Sequence, residues 1–173
     1  MTIRTRVLIS GIAAGLALTA APSPAAAADR AHDDGRERVA GRWSNPDPLT
    51  IVSSSQHRGI TTLRFTGHSR WTGDLLGTTS FTGHGRIDRN GVLTGTLDER
   101  FTGRVREVGQ GTLTFAETFR IDTVSGAVLV EARTTGGSSR LSHVRLTLRF
   151  TGTSDAQGVG QGRYTGSPAG PRD

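Results

Sequence analysis

Apolar and polar residues alternate with a period of two through most of the chain after residue 48. In "TLTFAETFRID", Leu113, Phe115, Phe119 and Ile121 share one face, while Thr112, Thr114, Thr118 and Arg120 share the other. In "SHVRLTLRF" the apolar set is Val144, Leu146, Leu148 and Phe150, set against His143, Arg145, Thr147 and Arg149. Successive strand side chains point to opposite faces, so this rhythm predicts half-buried strands, and no stretch carries a helical period. The alternation and the breaks between runs place strands near 49–54, 60–66, 75–82, 84–88, 92–102, 111–122, 127–134, 142–152 and 161–166.

The breaks have turn chemistry. Asn90-Gly91 predicts a type I′ hairpin turn, because both residues tolerate the positive φ that such a turn demands. Gly136 to Ser139 and Ser154 to Gly158 are further turns, and Val124-Ser125-Gly126 is a shorter one. Short strands following one another as hairpins predict an all-β domain, a single antiparallel up-and-down β-barrel of about eight strands. Closing the sheet also removes the edges that an open one would expose.

One motif recurs. "RFTG" occurs at Arg64, Arg100 and Arg149, and six of the nine aromatic residues (six Phe, two Trp, one Tyr) precede Thr-Gly. The order predicts an aromatic facing the barrel interior, a threonine facing out and a glycine where the strand bulges, bends or stops. The spacing is irregular, unlike the fixed period of a solenoid or propeller.

Composition bears on the ends of the chain. Met1 to Arg6 carries two arginines, Val7 to Ala20 is almost wholly apolar, and Ala26-Ala27-Ala28 offers small residues at a cleavage position. This is the pattern of a secretory signal peptide over 1–28, cut near Ala28, and it predicts a secreted product that is not a membrane protein in its mature form. Residues 29–48, charged and ending in two prolines, read as a flexible leader with Trp43 tucked onto the barrel. The barrel domain is expected over 49–166 and a disordered tail over 167–173. The chain has no cysteine, so an exported fold must be held by its core alone.

Charge excludes more than it suggests. The formal net charge of +6 falls to +4 without Arg4 and Arg6. All 21 basic residues are arginine, the mark of a high-GC genome, and the acids are interspersed among them. No basic block or helix argues for nucleic acid as a partner. His57, His68, His84 and His143 lack metal-ligand spacing and are expected at the surface or rim, so neither a metal nor another cofactor is expected. "GVGQG" at Gly158 lacks the strand–loop–helix context of a phosphate loop, and no G-x-S-x-G anchors a nucleophile.

Two carboxylates break the strand pattern. Glu99 shares its face with Leu93, Leu97 and Phe101, and Glu117 shares its face with Leu113, Phe115 and Phe119. If the alternation holds, both point inward, where an unpaired acid has a raised pKa and can act as a general acid or base. They are the candidate catalytic residues. An arginine partner, ordered water or a bulge at Gly103 would make them structural instead. The candidate ligand-binding residues are Phe65, Phe81, Phe101, Phe115, Phe119 and Phe150, the phenylalanines expected inside the barrel.

The stretches "WTGDLLGTTSFTGHGRI" and "GTLDERFTGRVREVGQGTLTFAETF" resemble the bacterial domain-of-unknown-function family 3224. The matching residues are Thr72 to Thr79, Glu99 to Gly103 and Gly111 to Phe115, within about Arg70 to Phe119. The family's "SGTGELAGLRG"-like stretch is replaced here by "RLTLRFTGTSDAQGVGQGRYTG". The resemblance implies a small calycin-like barrel similar to allene oxide cyclase, and it implies no particular activity. The leading expectation is a non-enzymatic barrel holding a small apolar or amphipathic ligand. The alternatives are a cyclase or isomerase similar to allene oxide cyclase using an interior Glu, or a filled barrel acting through its surface or by assembling as a homo-oligomer.

Overall fold

The computed structural model describes residues 38–168. The signal-peptide expectation for 1–28 and the first part of the expected leader lie outside them. Nine strands follow in order: β1 Val39–Asn45, β2 Thr50–His57, β3 Ile60–Gly73, β4 Leu75–Ile87, β5 Val92–Val105, β6 Gly109–Asp122, β7 Ala127–Ser139, β8 Leu146–Ser154 and β9 Gly160–Pro168. Neighbouring strands are antiparallel, in the order β1-β9-β8-β7-β6-β5-β4-β3-β2. A further pairing of β1 with β3, from Gly41 opposite Gly73 to Ser44 opposite Arg70, closes eight of them into a barrel. β2 is the extra strand. It pairs with the first half of β3, and all eight of its residues are exposed.

The barrel is the one the alternation predicts, but the strand that closes it is not. Residues 39–45 were expected in a flexible leader, yet they form β1 and wedge between β3 and β9. Val39, Gly41 and Trp43 alternate with Ala40, Arg42 and Ser44, and Trp43 is buried at 8% exposure. The local composition of charge and proline masked a seven-residue strand that only long-range pairing stabilises. Conversely, the strand expected at 49–54 runs along β3 outside the closure. Strands expected separately at 75–82 and 84–88 are one strand, β4, and Ser167 and Pro168, expected in a disordered tail over 167–173, belong to β9 and pair with Thr147 and Leu146 of β8, while the rest of that tail lies outside the described residues.

Turns differ as well: Gly136 to Ser139, expected as a turn, is the end of β7, paired with Gly111 to Thr114 of β6. Asn90 does not take positive φ; only Gly91 does, at 77°, and the Asp88 carboxylate accepts the N–H groups of Asn90 and Val92, both at 2.9 Å. The type I′ geometry belongs instead to Arg58-Gly59, with φ of 50° and 77° between the paired His57 and Ile60. Residues 142–145, expected in a strand, belong to the β7–β8 loop, where buried Leu141 and Val144 join the core.

The interior has two apolar regions. One gathers Trp71, Phe101, Phe115, Phe150 and Tyr164, with Trp71 ring centroids 5.0 to 5.7 Å from those of the other four. The other gathers Leu63, Phe65, Phe81, Leu93 and Phe119, with Phe65 edge-on to Phe81 at 6.4 Å and to Phe119 at 5.8 Å. At one end of the barrel the Tyr164 hydroxyl accepts the Leu75 N–H at 2.8 Å, and burial pushes its pKa up to about 12. The Asp74 carboxylate there accepts the Ala40 N–H at 2.8 Å and pairs with Arg106 at 3.2 Å.

Candidate functional site

The alternation along β5 and β6 is unbroken through Gly103, so Glu99 and Glu117 both face inward, each 6% exposed. Along β5 Glu99 falls between Leu97 and Phe101; along β6 Glu117 falls between Phe115 and Phe119. The register sets Glu99 opposite Phe115 and Glu117 opposite Leu97. The acids are therefore diagonal neighbours on adjacent strands, a spacing that long side chains bridge. Beside them are two further buried polar side chains, Ser69 and Thr79, with Asn45 at the end of β1 receiving a 2.7 Å hydrogen bond from the Ser69 hydroxyl.

Neither acid has a cationic partner. The ion pairs among the described residues, Arg106 with Asp74 and with Glu107, involve neither of them. Glu117 Oε1 and Thr79 Oγ1 are buried without a hydrogen-bond partner. Burial is the main cause that raises both carboxyls. For Glu99 it is opposed by the polar side chains of Glu117, Thr79 and Ser69; for Glu117 it is reinforced by the negative charge of Glu99, which carries it well above 4.5. Two carboxyls this close do not ionise independently, so the pair retains a proton at pH values where an exposed acid has lost its own.

Beside the pair lies a cavity of about 80 Å³, reaching from Glu99 and Glu117 past Trp43 and Trp71 to Leu49 and Gly158. Leu49 sits in the loop between β1 and β2, fixed by a 2.9 Å hydrogen bond from its N–H to the Gln157 carbonyl of the β8–β9 turn. Of the six candidate phenylalanines, all are buried, and Phe65, Phe81, Phe119 and Phe150 line the cavity. Phe101 and Phe115 do not; they pack on Trp71 in the other apolar region. Sequence reasoning missed Asn45 and Leu49, and it placed Trp43 on the barrel without assigning it to the site. The period-two run Val39, Gly41, Trp43, Asn45 was the available signal, overlooked because prolines and charges surround it.

The four histidines considered for metal binding are all exposed, and no group of three or more His, Cys, Asp or Glu among the described residues could hold a metal ion. Neither a protein-family model nor a curated protein matches the chain.

Proposed function

We propose that this chain is an exported binding protein whose barrel takes the thin apolar end of a small amphipathic molecule. The supporting observation is the cavity itself. It has apolar walls of Phe, Trp, Leu and Val and, at one place, two acids with an unsatisfied carboxyl oxygen. Apolar walls with a few convergent polar groups are the general form of a small-molecule site. The volume limits the guest, since a cavity of about 150 Å³ is what benzene occupies in a protein core, and this one offers about 80 Å³. A long reactive chain would have to displace Leu49 or the phenylalanines, so binding is favoured over a cyclase that folds such a chain. Export rests on the signal-peptide pattern of residues 1–28, and kinship with the allene oxide cyclase-like barrels rests on the motifs from Arg70 to Phe119.

A second reading draws on the proton shared between Glu99 and Glu117. A carboxyl pushed above its usual range by burial beside a cavity is suited to general acid–base work, a contribution typically ~10²–10⁴-fold in rate. Binding remains the minimal account because it needs no reacting substrate.

Trp43 and Trp71 both line the cavity and are the two tryptophans of the chain, so intrinsic fluorescence reports occupancy. Protein recovered from culture medium and incubated with extracted metabolites is expected to retain a small molecule in native mass spectrometry and to show a changed tryptophan signal. Val130→Phe, which fills the cavity from β7, is expected to abolish both. A protein that retains nothing and responds to no small amphiphile would overturn the reading.

A further inference from the structure

We infer that the molecule this cavity selects is a small aliphatic ammonium ion, its charged head on Glu99 and Glu117 and its short alkyl tail against the aromatic wall. The inference rests on the reading of the cavity as a ligand site and adds the class of ligand.

The first ground is the charge of the lining. Glu99 and Glu117 are the titratable side chains that line the cavity among the described residues; β1, β3, β4, β7 and β8 contribute aromatic, aliphatic, hydroxyl and amide groups and no ionisable one. Buried acids are ordinarily paired with a cation, because an isolated charge is costly out of water. Here the cationic side is not supplied by the protein. The arginines alternate to the outer faces, as Arg100 does beside Glu99 and Arg120 does three residues after Glu117.

The second ground is the count of donors and acceptors. Glu117 Oε1, in a side chain only 6% exposed, has no hydrogen-bond partner. The Ser69 hydroxyl on β3 gives its hydrogen to Asn45 Oδ1, which leaves the Thr79 hydroxyl on β4 as the other buried hydroxyl beside the pair. Against two carboxyl groups the site thus offers few donors, and Glu117 Oε1 meets none of them. A primary ammonium brings three N–H donors and a positive charge. An alcohol brings one donor, and a carboxylate brings none and is repelled.

The third ground is the wall and its size. Phe65 meets Phe81 and Phe119 edge to face, and with Trp71 and Trp43 these rings form an apolar wall for the alkyl tail. At about 80 Å³ the space holds roughly two to three water-sized groups, which suits an ammonium head with one or two carbons. A bare metal ion would need six or so oxygen ligands, which these walls do not offer. Binding the cation stabilises the ionised pair, so the shared proton leaves as the guest enters.

The test compares three small molecules of related shape, ethylammonium, ethanol and acetate, by calorimetry and tryptophan fluorescence on the secreted protein. Ethylammonium is expected to bind at least tenfold more tightly than ethanol, with acetate weakest. Its apparent heat is expected to vary with buffer ionisation enthalpy as protons are released, and its affinity to rise with pH. In the double variant Glu99→Gln, Glu117→Gln the preference should vanish while ethanol still binds. Equal or tighter binding of ethanol by the wild type would overturn the ammonium inference and leave the cavity reading standing. No binding of any of the three would overturn both. The wild-type ranking decides the question even if the double variant does not fold.

Discussion

Phe65 on β3 stands directly opposite Gly83 on β4, and its ring occupies the space where a Cβ on Gly83 would be, with the Cε2 atom 2.6 Å from that position. Two residues along, the relation is reversed: Phe81 on β4 stands opposite Gly67 on β3 and covers it in the same way. Each "FTG" thus supplies a ring to its neighbour and a bare glycine for the neighbour's ring. The glycines of these two motifs are not bends or stops but interior positions emptied to admit a phenylalanine. Only a pair of strands in register makes the motif intelligible.

From this relation, Gly83→Ala is expected to destabilise the protein by about 1–3 kcal/mol, the usual cost of overpacking a core. Phe65→Leu should cost stability alone but partly relieve Gly83→Ala, giving a non-additive cycle in chemical denaturation. An unchanged midpoint for Gly83→Ala would refute the packing account.

β1 closes the barrel through a short ladder to β3 in which Trp43 stands opposite Trp71. Trp43→Ala should therefore cost about 3–5 kcal/mol, as large aromatic truncations in cores do. Deleting Val39–Asn45 should abolish cooperative thermal unfolding, because β3 and β9 would both be left with open edges. A truncated chain that melts like the full one would show that closure is dispensable.

Ile51 and Val52 on β2 are 53% and 59% exposed, and β2 lies outside the closed barrel. Ile51→Lys and Val52→Lys are expected to shift stability by no more than about 0.5 kcal/mol. Both should reduce aggregation on heating, since a charge blunts an apolar edge strand. A large loss in unfolding free energy would mean that β2 supports the core.

The acids set the pH dependence of stability. Burial raises the folded-state pKa of Glu99 and Glu117 above 4.5, so their contribution is fully present below that value and is lost as pH rises through the raised pKa values of the pair. Stability should fall with rising pH across that window, by up to about 1.4 kcal/mol per unit of pKa shift. Glu117→Gln should flatten the curve and leave a protein more stable than the wild type at its upper end. Asp122 acts oppositely in a lower window: backbone hydrogen bonds from Ser125 and Val124 lower its pKa below 3.8, so that contribution is present above 3.8 and lost in stronger acid. A wild-type curve that is flat from pH 4.5 upward would contradict the raised pair.

The sequence by itself determined the barrel and the orientation of its two acids. Alternation is a local property: once Leu113, Phe115 and Phe119 are on one face of a strand, Glu117 between them must be on that face too, and the same holds for Glu99 beside Leu97 and Phe101. Tertiary structure alone decided which strand closes the barrel, because 39–45 and 49–54 both look weakly strand-like and the choice depends on the partners each finds on β3. It also decided which phenylalanines reach the cavity. Phe115 and Phe119 share a face of β6, yet Phe119 lines the cavity and Phe115 packs on Trp71, since strands in a closed barrel are tilted and staggered and bring different partners to each level. The diagonal offset of Glu99 and Glu117 was fixed by the β5–β6 register. The want of a cation beside them arose because every neighbouring strand turns its arginines outward, a condition set by all the strands of the barrel together and visible in none of them separately.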